Sequence, residues 1–350
     1  MAAIRVLIVD DSAVVRKQLT AIFDDYPDIE VVGTAPDPFV ARRRIKELEP
    51  DVLTLDVEMP RMDGLTFLSN LMRLRPMPVV MVSTLTQKGA DVTLRALELG
   101  AFDFVSKPTM GVEERLQEYA DELATKVRAA SRANVERLGL RSARAVQSGG
   151  APVKQTSHFA TTNKIIAIGA STGGTEAVAD ILAGMPADAP GIVVTQHLPG
   201  SFSEAFAKRL DGQSAMRVRL AGDRETIRNG NVYIAPGGDH HLAVHRNGAD
   251  FICRLEARER VSGHRPSVDV LFDSVATKAG RNAVGVLLTG MGADGAAGLK
   301  AMRDSGAPTI CQDEATSVVW GMPGVAVKMG AACEVLPLER IGAAILKAAR

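Results

Sequence analysis

The chain has 350 residues, enough for two domains at the usual ~100 to 200 residues each, and its 46% hydrophobic and 23% charged content excludes collagen-like and disordered classes. Lys and Arg number 41 against 41 Asp and Glu, so the balanced charge offers no whole-chain attraction to nucleic acid or anionic lipid. Three cysteines, Cys253, Cys311 and Cys333, lack CxxC spacing and lie in apolar stretches, which predicts buried thiols in a reducing compartment.

The first apolar run, Ile4 to Val9, stops at Asp10 and Asp11, too short and too acidic for a signal peptide. No run reaches the ~18 residues of a membrane span, so the expected location is cytoplasmic, without membrane insertion. Strands are predicted at Arg5 to Val9, Ile29 to Thr34, Val52 to Leu55, Val79 to Val82 and Phe102 to Val105, with helices between them. This is the α/β alternation of a doubly wound parallel sheet. The first helix carries Val15, Leu19, Ile22 and Phe23 on one face, and the last carries Leu116, Tyr119, Leu123 and Val127. Gly100 reads as a helix stop. Residues 1–127 form the expected first domain, and 128–162 a basic, flexible linker with Arg128, Arg132, Arg137, Arg141, Arg144 and Lys154 against Glu136. Residues 163–350 form the second α/β domain. Its strands are expected near Ile165 to Ile168, Ile192 to Thr195, Val232 to Ala235, Val284 to Leu288 and Thr309 to Cys311. An antiparallel hairpin, His240 to Val244 and Phe251 to Leu255, joins through Asn247 and Gly248.

In the first domain Asp10, Asp11, Asp56, Ser83 and Lys107 each follow a strand. With strand order 2-1-3-4-5, the three carboxylates converge at the crevice where strand order reverses. Three acids in one cleft call for a hard dication such as Mg²⁺, which takes oxygen ligands. Asp56 is then placed to accept a phosphoryl group, with Lys107 and Ser83 on its oxygens. Taken singly, an Asp after a strand is an ordinary helix cap and a Lys-Pro an ordinary turn; the coincidence of five carries the reading. The stretches VLIVDDS (6–12), LDVEMPRMDG (55–64), VVMVST (79–84) and DFVSKP (103–108) resemble the receiver domain of two-component response regulators. The resemblance implies Asp56 as phospho-acceptor, Asp10, Asp11 and Asp56 as metal site, Ser83 as switch hydroxyl, Phe104 as switch aromatic, and Lys107 before a cis Pro108.

In the second domain IIAIGASTGGTEAV (165–178) is a strand, a glycine-rich turn exposing Ser171, and a helix. A helix cap and a dinucleotide loop are the competing readings. The next strand ends in Gln196 and His197 rather than in a ribose-binding acid, and no GK[ST] follows the glycines. His197 instead stands where an imidazole can take the serine proton, and LLTGMGADG (287–295) supplies Asp294 to orient it. That is a nucleophilic triad in the chain order Ser, His, Asp, with the Met291 loop as a source of oxyanion donors. His240, His241 and His245 alternate faces of a strand without a cysteine, which argues against a metal there.

GASTGG, QHLP, YIAPGG, GHRPSVDVLF, LLTGMGADG and WGMPG resemble the catalytic domain of chemotaxis methylesterases, and the order receiver, linker, catalytic domain resembles the response-regulator methylesterases along the whole chain. The resemblance implies Ser171 as nucleophile, His197 as base, Asp294 as orienting acid, Met291 as main-chain oxyanion donor and Thr172 as flanking residue. It implies hydrolysis of glutamate γ-methyl esters on chemoreceptors, releasing methanol, and deamidation of specific receptor glutamines. Activity would be switched by a chemotaxis histidine kinase as phosphodonor, with Mg²⁺ needed by the receiver and no cofactor by the esterase. A monomer that binds no nucleic acid is expected. A phosphorylation-switched binding module would show a broken triad, and a dinucleotide-dependent reductase would need the missing ribose acid.

Overall fold

The computed structural model describes residues 2–57, 59, 64–83, 86–107, 113–133 and 164–350. The chain divides into two compact units, Met1–Gly149 and Gly150–Arg350. The expected cis bond at Pro108, and the linker beyond Ala133, lie outside the described residues.

The first unit alternates β1 (Ile4–Val9), α1 (Ala13–Asp24), β2 (Ile29–Ala35), α2 (Pro38–Leu48), β3 (Val52–Asp56), α3 (Gly64–Leu74), β4 (Val79–Ser83), α4 (Gln87–Glu98), β5 (Asp103–Ser106) and α5 (Glu113–Ala130). Its five strands are parallel in the order β2-β1-β3-β4-β5. Val6 to Val9, Leu53, Leu55 and Val79 to Val82 are buried on both faces, as strands covered by helices on each side must be. Gly100 ends α4 with φ +102°, its N–H on the Leu97 carbonyl. Two expectations change. Leu116 is 47% exposed although Tyr119, Leu123 and Val127 on the same stripe are buried. Helix α5 also runs past residue 127, and Arg128, placed in the linker by composition, forms a bidentate pair with Asp28 at 2.7 Å.

The second unit contains β6 (Ile165–Ala170), α6 (Gly174–Ala183), β7 (Gly191–Gln196), α7 (Gly200–Gln213), β8 (Arg217–Leu220), β9 (Asn231–Ile234), β10 (His241–Asn247), β11 (Asp250–Glu256), α8 (Val268–Lys278), β12 (Ala283–Leu287), α9 (Ala296–Asp304), β13 (Thr309–Gln312), α10 (Met322–Lys328), β14 (Glu334–Leu336) and α11 (Leu338–Ala348). Seven parallel strands run β14-β13-β12-β6-β7-β9-β8. Strands β10 and β11 pair as a separate antiparallel hairpin. The two strands at the sheet edges, β8 and β14, go beyond the strands expected from sequence: each is short and partly charged, the usual character of an edge. Cys253 and Cys311 are buried, but Cys333 is exposed, a correction explained by its position immediately before edge strand β14.

Because β6 lies between β7 and β12, its carboxyl end opens at the point where strand order reverses. The loops after β6, β7 and β12 carry Ser171, His197 and Asp294. Gly169 sits one residue before the end of β6, where any Cβ would lie 2.1 Å from Val268 Cγ1. Glycine there lets the first turn of α8 press onto the strand and reach the loops.

Candidate active site and receiver site

Ser171 follows β6 directly, and its backbone is held from three directions. Its N–H donates to the Thr289 carbonyl at 3.0 Å, while its carbonyl accepts from Gly174 N–H at 2.7 Å and from Gln196 Nε2 at 2.9 Å. His197 follows β7 where Gln196 pairs with Ala170, so the two residues leave neighbouring strand ends. Asp294 is 2% exposed, and its Oδ2 lies 2.7 Å from His197 Nε2. The other ring nitrogen, Nδ1, is buried and makes no hydrogen bond among the described residues. The imidazole of His264 stacks on that of His197, with centroids 3.7 Å apart and planes 14° from parallel.

The Asp294 carboxylate accepts three further hydrogen bonds from the start of α8: Ser267 Oγ–H at 2.7 Å, Val268 N–H at 2.7 Å and Asp269 N–H at 3.1 Å. Burial opposes its charge, but the bond to His197 and the donors at the start of α8 outweigh burial and hold the carboxyl down at about 2. Asp269, beside it, is pushed up to about 6, first by burial and then by the neighbouring Asp294 charge, against the Gly298 N–H that favours ionisation. His241 is fully buried: its Nδ1 accepts from Ser267 N–H at 3.1 Å and its Nε2 donates to the Glu259 carbonyl at 3.0 Å. Burial lowers its pKa, in keeping with a neutral ring.

The Gly290–Met291–Gly292 turn presses on Ser171. A Cβ at Gly290 would stand 2.8 Å from Ser171 Cβ and 2.2 Å from Met322 Sδ. The Gly290 carbonyl is tied to the N–H groups of Gly321 and Met322 at 3.1 and 2.9 Å. The WGMPG stretch is thereby explained: Gly321 crosses the turn where a side chain would meet Gly290 O and Gly292 N. Thr172 is buried beside Ser171, its carbonyl accepting from Thr289 Oγ1 at 2.9 Å. Ser267, His241, His264 and Gly321 carry no role in the sequence reading. All four lie in or beside the quoted motifs, but their partners in the site stand 18 or more positions away along the chain and leave no local pattern.

In the first unit the register Val9↔Leu55 brings Asp10 beside Asp56, and oxygens of Asp10, Asp11 and Asp56 lie within 4.8 Å of one another. Lys107 Nζ is 3.0 Å from both Asp10 Oδ2 and Asp56 Oδ1. Burial works against its charge, yet Asp56 and Asp10 hold its pKa above the ordinary lysine value. Ser83 is buried with its hydroxyl 2.7 Å from Thr93 Oγ1, a partner on α4 that sequence reasoning missed. Phe104 is buried, with Lys126 Nζ 5.2 Å from its ring centroid. No helix among the described residues is long and apolar enough to cross a membrane.

Comparison with known proteins covers both units. Residues 166–345 match the CheB methylesterase family and residues 6–120 the response regulator receiver domain. A protein-glutamate methylesterase/protein-glutamine glutaminase of Bordetella parapertussis is 56% identical over 346 residues, covering 99% of this chain and 97% of the relative. One from Xanthomonas campestris pv. campestris is 59% identical over 341 residues, covering 97% and 95%. The crystal structure of the Thermotoga maritima CheB methylesterase catalytic domain is 37% identical with a TM-score of 0.51, covering 53% of this chain and 97% of that one.

Proposed function

The chain belongs to the CheB methylesterase family, and we propose that its second unit hydrolyses glutamate γ-methyl esters on chemoreceptors through Ser171, His197 and Asp294. The single observation that carries the residue assignment is the 2.7 Å contact between Asp294 Oδ2 and His197 Nε2 beside the backbone-pinned Ser171. Asp294, ionised and anchored on the start of α8, accepts a hydrogen bond from Nε2–H, which keeps the ring proton on Nε2 and leaves Nδ1 unprotonated, the form a general base needs. Ser171 Oγ attacks the ester carbonyl and its proton passes to His197 Nδ1. Main-chain N–H groups of the Met291 turn stabilise the oxyanion. The tetrahedral intermediate collapses with the proton delivered to the leaving group, which departs as methanol, or as ammonia when the substrate is a glutamine side chain. Water, deprotonated by His197, then cleaves the glutamyl ester of Ser171 and releases the carboxylate. Thr172 flanks the nucleophile.

The receiver unit takes a phosphoryl group on Asp56 from a histidine kinase, which raises esterase output. Asp10, Asp11 and Asp56 form an all-oxygen donor set, with Asp11 open to solvent, that suits Mg²⁺; the ion would supply charge neutralisation at the phosphoryl oxygens. Lys107 adds a fixed positive charge at the acceptor, and Ser83 is the hydroxyl that answers phosphorylation, with Phe104 as the neighbouring aromatic. The setting is the cytoplasm, where receptor signalling helices are found. Methanol release from methylated receptor membranes, measured with and without acetyl phosphate, tests the whole reading. Release that rises with the phosphodonor supports it; no release under either condition sinks it.

A further inference from the structure

Ser267 occupies the cap position of α8, yet its hydroxyl is not mainly a cap. The bond from Val270 N–H to Ser267 Oγ is long, 3.5 Å, whereas Ser267 Oγ donates to Asp294 Oδ1 at 2.7 Å. The serine's own N–H is taken by His241 Nδ1, and the buried His241 ring is fixed in turn by the Glu259 carbonyl. Since Nε2 donates to a carbonyl and Nδ1 accepts from an amide, the hydrogen bonds specify one neutral tautomer of His241. A chain of hydrogen bonds, buried at His241, Ser267 and Asp294, therefore runs from the Glu259 carbonyl to His197.

We propose that Ser267, oriented by His241, is a positioning residue for the esterase: it aims the Asp294 carboxylate at His197 Nε2 and keeps it an acceptor. This rests on the assignment of Asp294 as the orienting acid. The groups bonded to or beside that carboxylate are His197, Ser267, the Val268 and Asp269 amides and the Asp269 carboxyl, with the Asp273 carboxyl and the His241 ring also within its field. Ser267 is the hydroxyl among them, and it donates to Asp294 Oδ1 whatever the protonation state of its neighbours. Without it Asp294 loses a charge-assisted bond, becomes more basic and gains freedom to turn.

The test uses the full chain with methylated receptor membranes. Ser267→Gly removes the donor while glycine still serves as a helix cap, and Ser267→Thr restores the hydroxyl. The Gly variant is expected to lose about tenfold in kcat with KM unchanged, as loss of a hydrogen bond to a charged group implies, and the acid limb of its kcat/KM profile, which reports the coupled His197–Asp294 pair, to move upward. Ser267→Thr is expected to recover most of both. Should Thr not fit the buried site, His241→Phe, which removes the acceptor for Ser267 N–H, is expected to shift the same limb upward. A Gly variant with unaltered kcat and acid limb, in a chain that Asp294→Asn inactivates, overturns the proposal and leaves the triad standing. An active Asp294→Asn chain overturns both.

Discussion

Asp294 meets His197 at Nε2, not Nδ1, with 2.7 Å between the atoms. In the familiar serine-protease arrangement the carboxylate holds Nδ1 and Nε2 serves the nucleophile. Here the ring is turned about, and the nitrogen left without a hydrogen bond among the described residues is Nδ1, the one nearer the backbone. Ser171 and His197 directly follow the paired Ala170 and Gln196, so in the proposed triad it is the short reach of Nδ1 that would serve the serine.

Replacing Asp294 by Asn should cut kcat by about 10⁴-fold, the scale seen when an amide stabilises the wrong histidine tautomer. Both carboxylate oxygens accept N–H groups, Oδ2 from Val268 and Oδ1 from Asp269, so the new NH₂ faces a donor in either orientation. The variant should therefore also lose about 1 to 3 kcal/mol of stability. Methanol release and a denaturant titration check the two parts.

Ser171→Ala should abolish methanol release while Asp56 still forms an acid-labile phosphate with acetyl phosphate, because the two sites belong to separate sheets. The converse variant, Asp56→Asn, should form no acyl phosphate and keep basal esterase activity. Phosphoryl label appearing on a serine or histidine of Asp56→Asn would remove Asp56 from its assigned role.

Gly290→Ala should lower kcat about 100-fold, the cost of an ångström-scale misplacement of reacting groups, because the new methyl lands on Met322 Sδ and Ser171 Cβ. Receiver phosphorylation should be untouched. Steady-state rates near those of the parent chain would show that the Met291 turn does not need its present distance from Ser171.

Asp269 has a folded pKa raised to about 6, above the ~3.9 of an unfolded Asp. The folded state thus keeps a proton that the unfolded chain gives up, and the stability this group supports is full below about pH 4 and lost as pH rises through 6. In thermal melts from pH 4 to pH 7, Asp269→Asn should gain steadily on the parent chain. A difference that stays constant across the series would mean that Asp269 titrates alike in both states.

Much of this architecture is legible in the order of residues, because parallel sheets announce themselves locally. Short apolar runs such as Ile165 to Ile168 mark buried strands, and the polar residues at their ends must collect at the carboxyl edge of each sheet once its strands align, Asp10, Asp56 and Lys107 in the first and Ser171 and His197 in the second. Sequence pattern alone thus set the two α/β units and the candidate residues of both sites, and motif resemblance named the chemistry. It did not reveal the edge strands Arg217–Leu220 and Glu334–Leu336, whose few, half-exposed residues carry too little hydrophobic signal. Nor did it show which imidazole nitrogen of His197 meets Asp294, that His264 covers its face, or that Ser267 and His241 hold Asp294. These depend on how the start of α8 packs against Gly169 and the loop after β12, contacts between residues dozens of positions apart. A ring's orientation and a buried carboxylate's donors are decided by close packing in three dimensions, and the order of residues along the chain does not encode them in any local period.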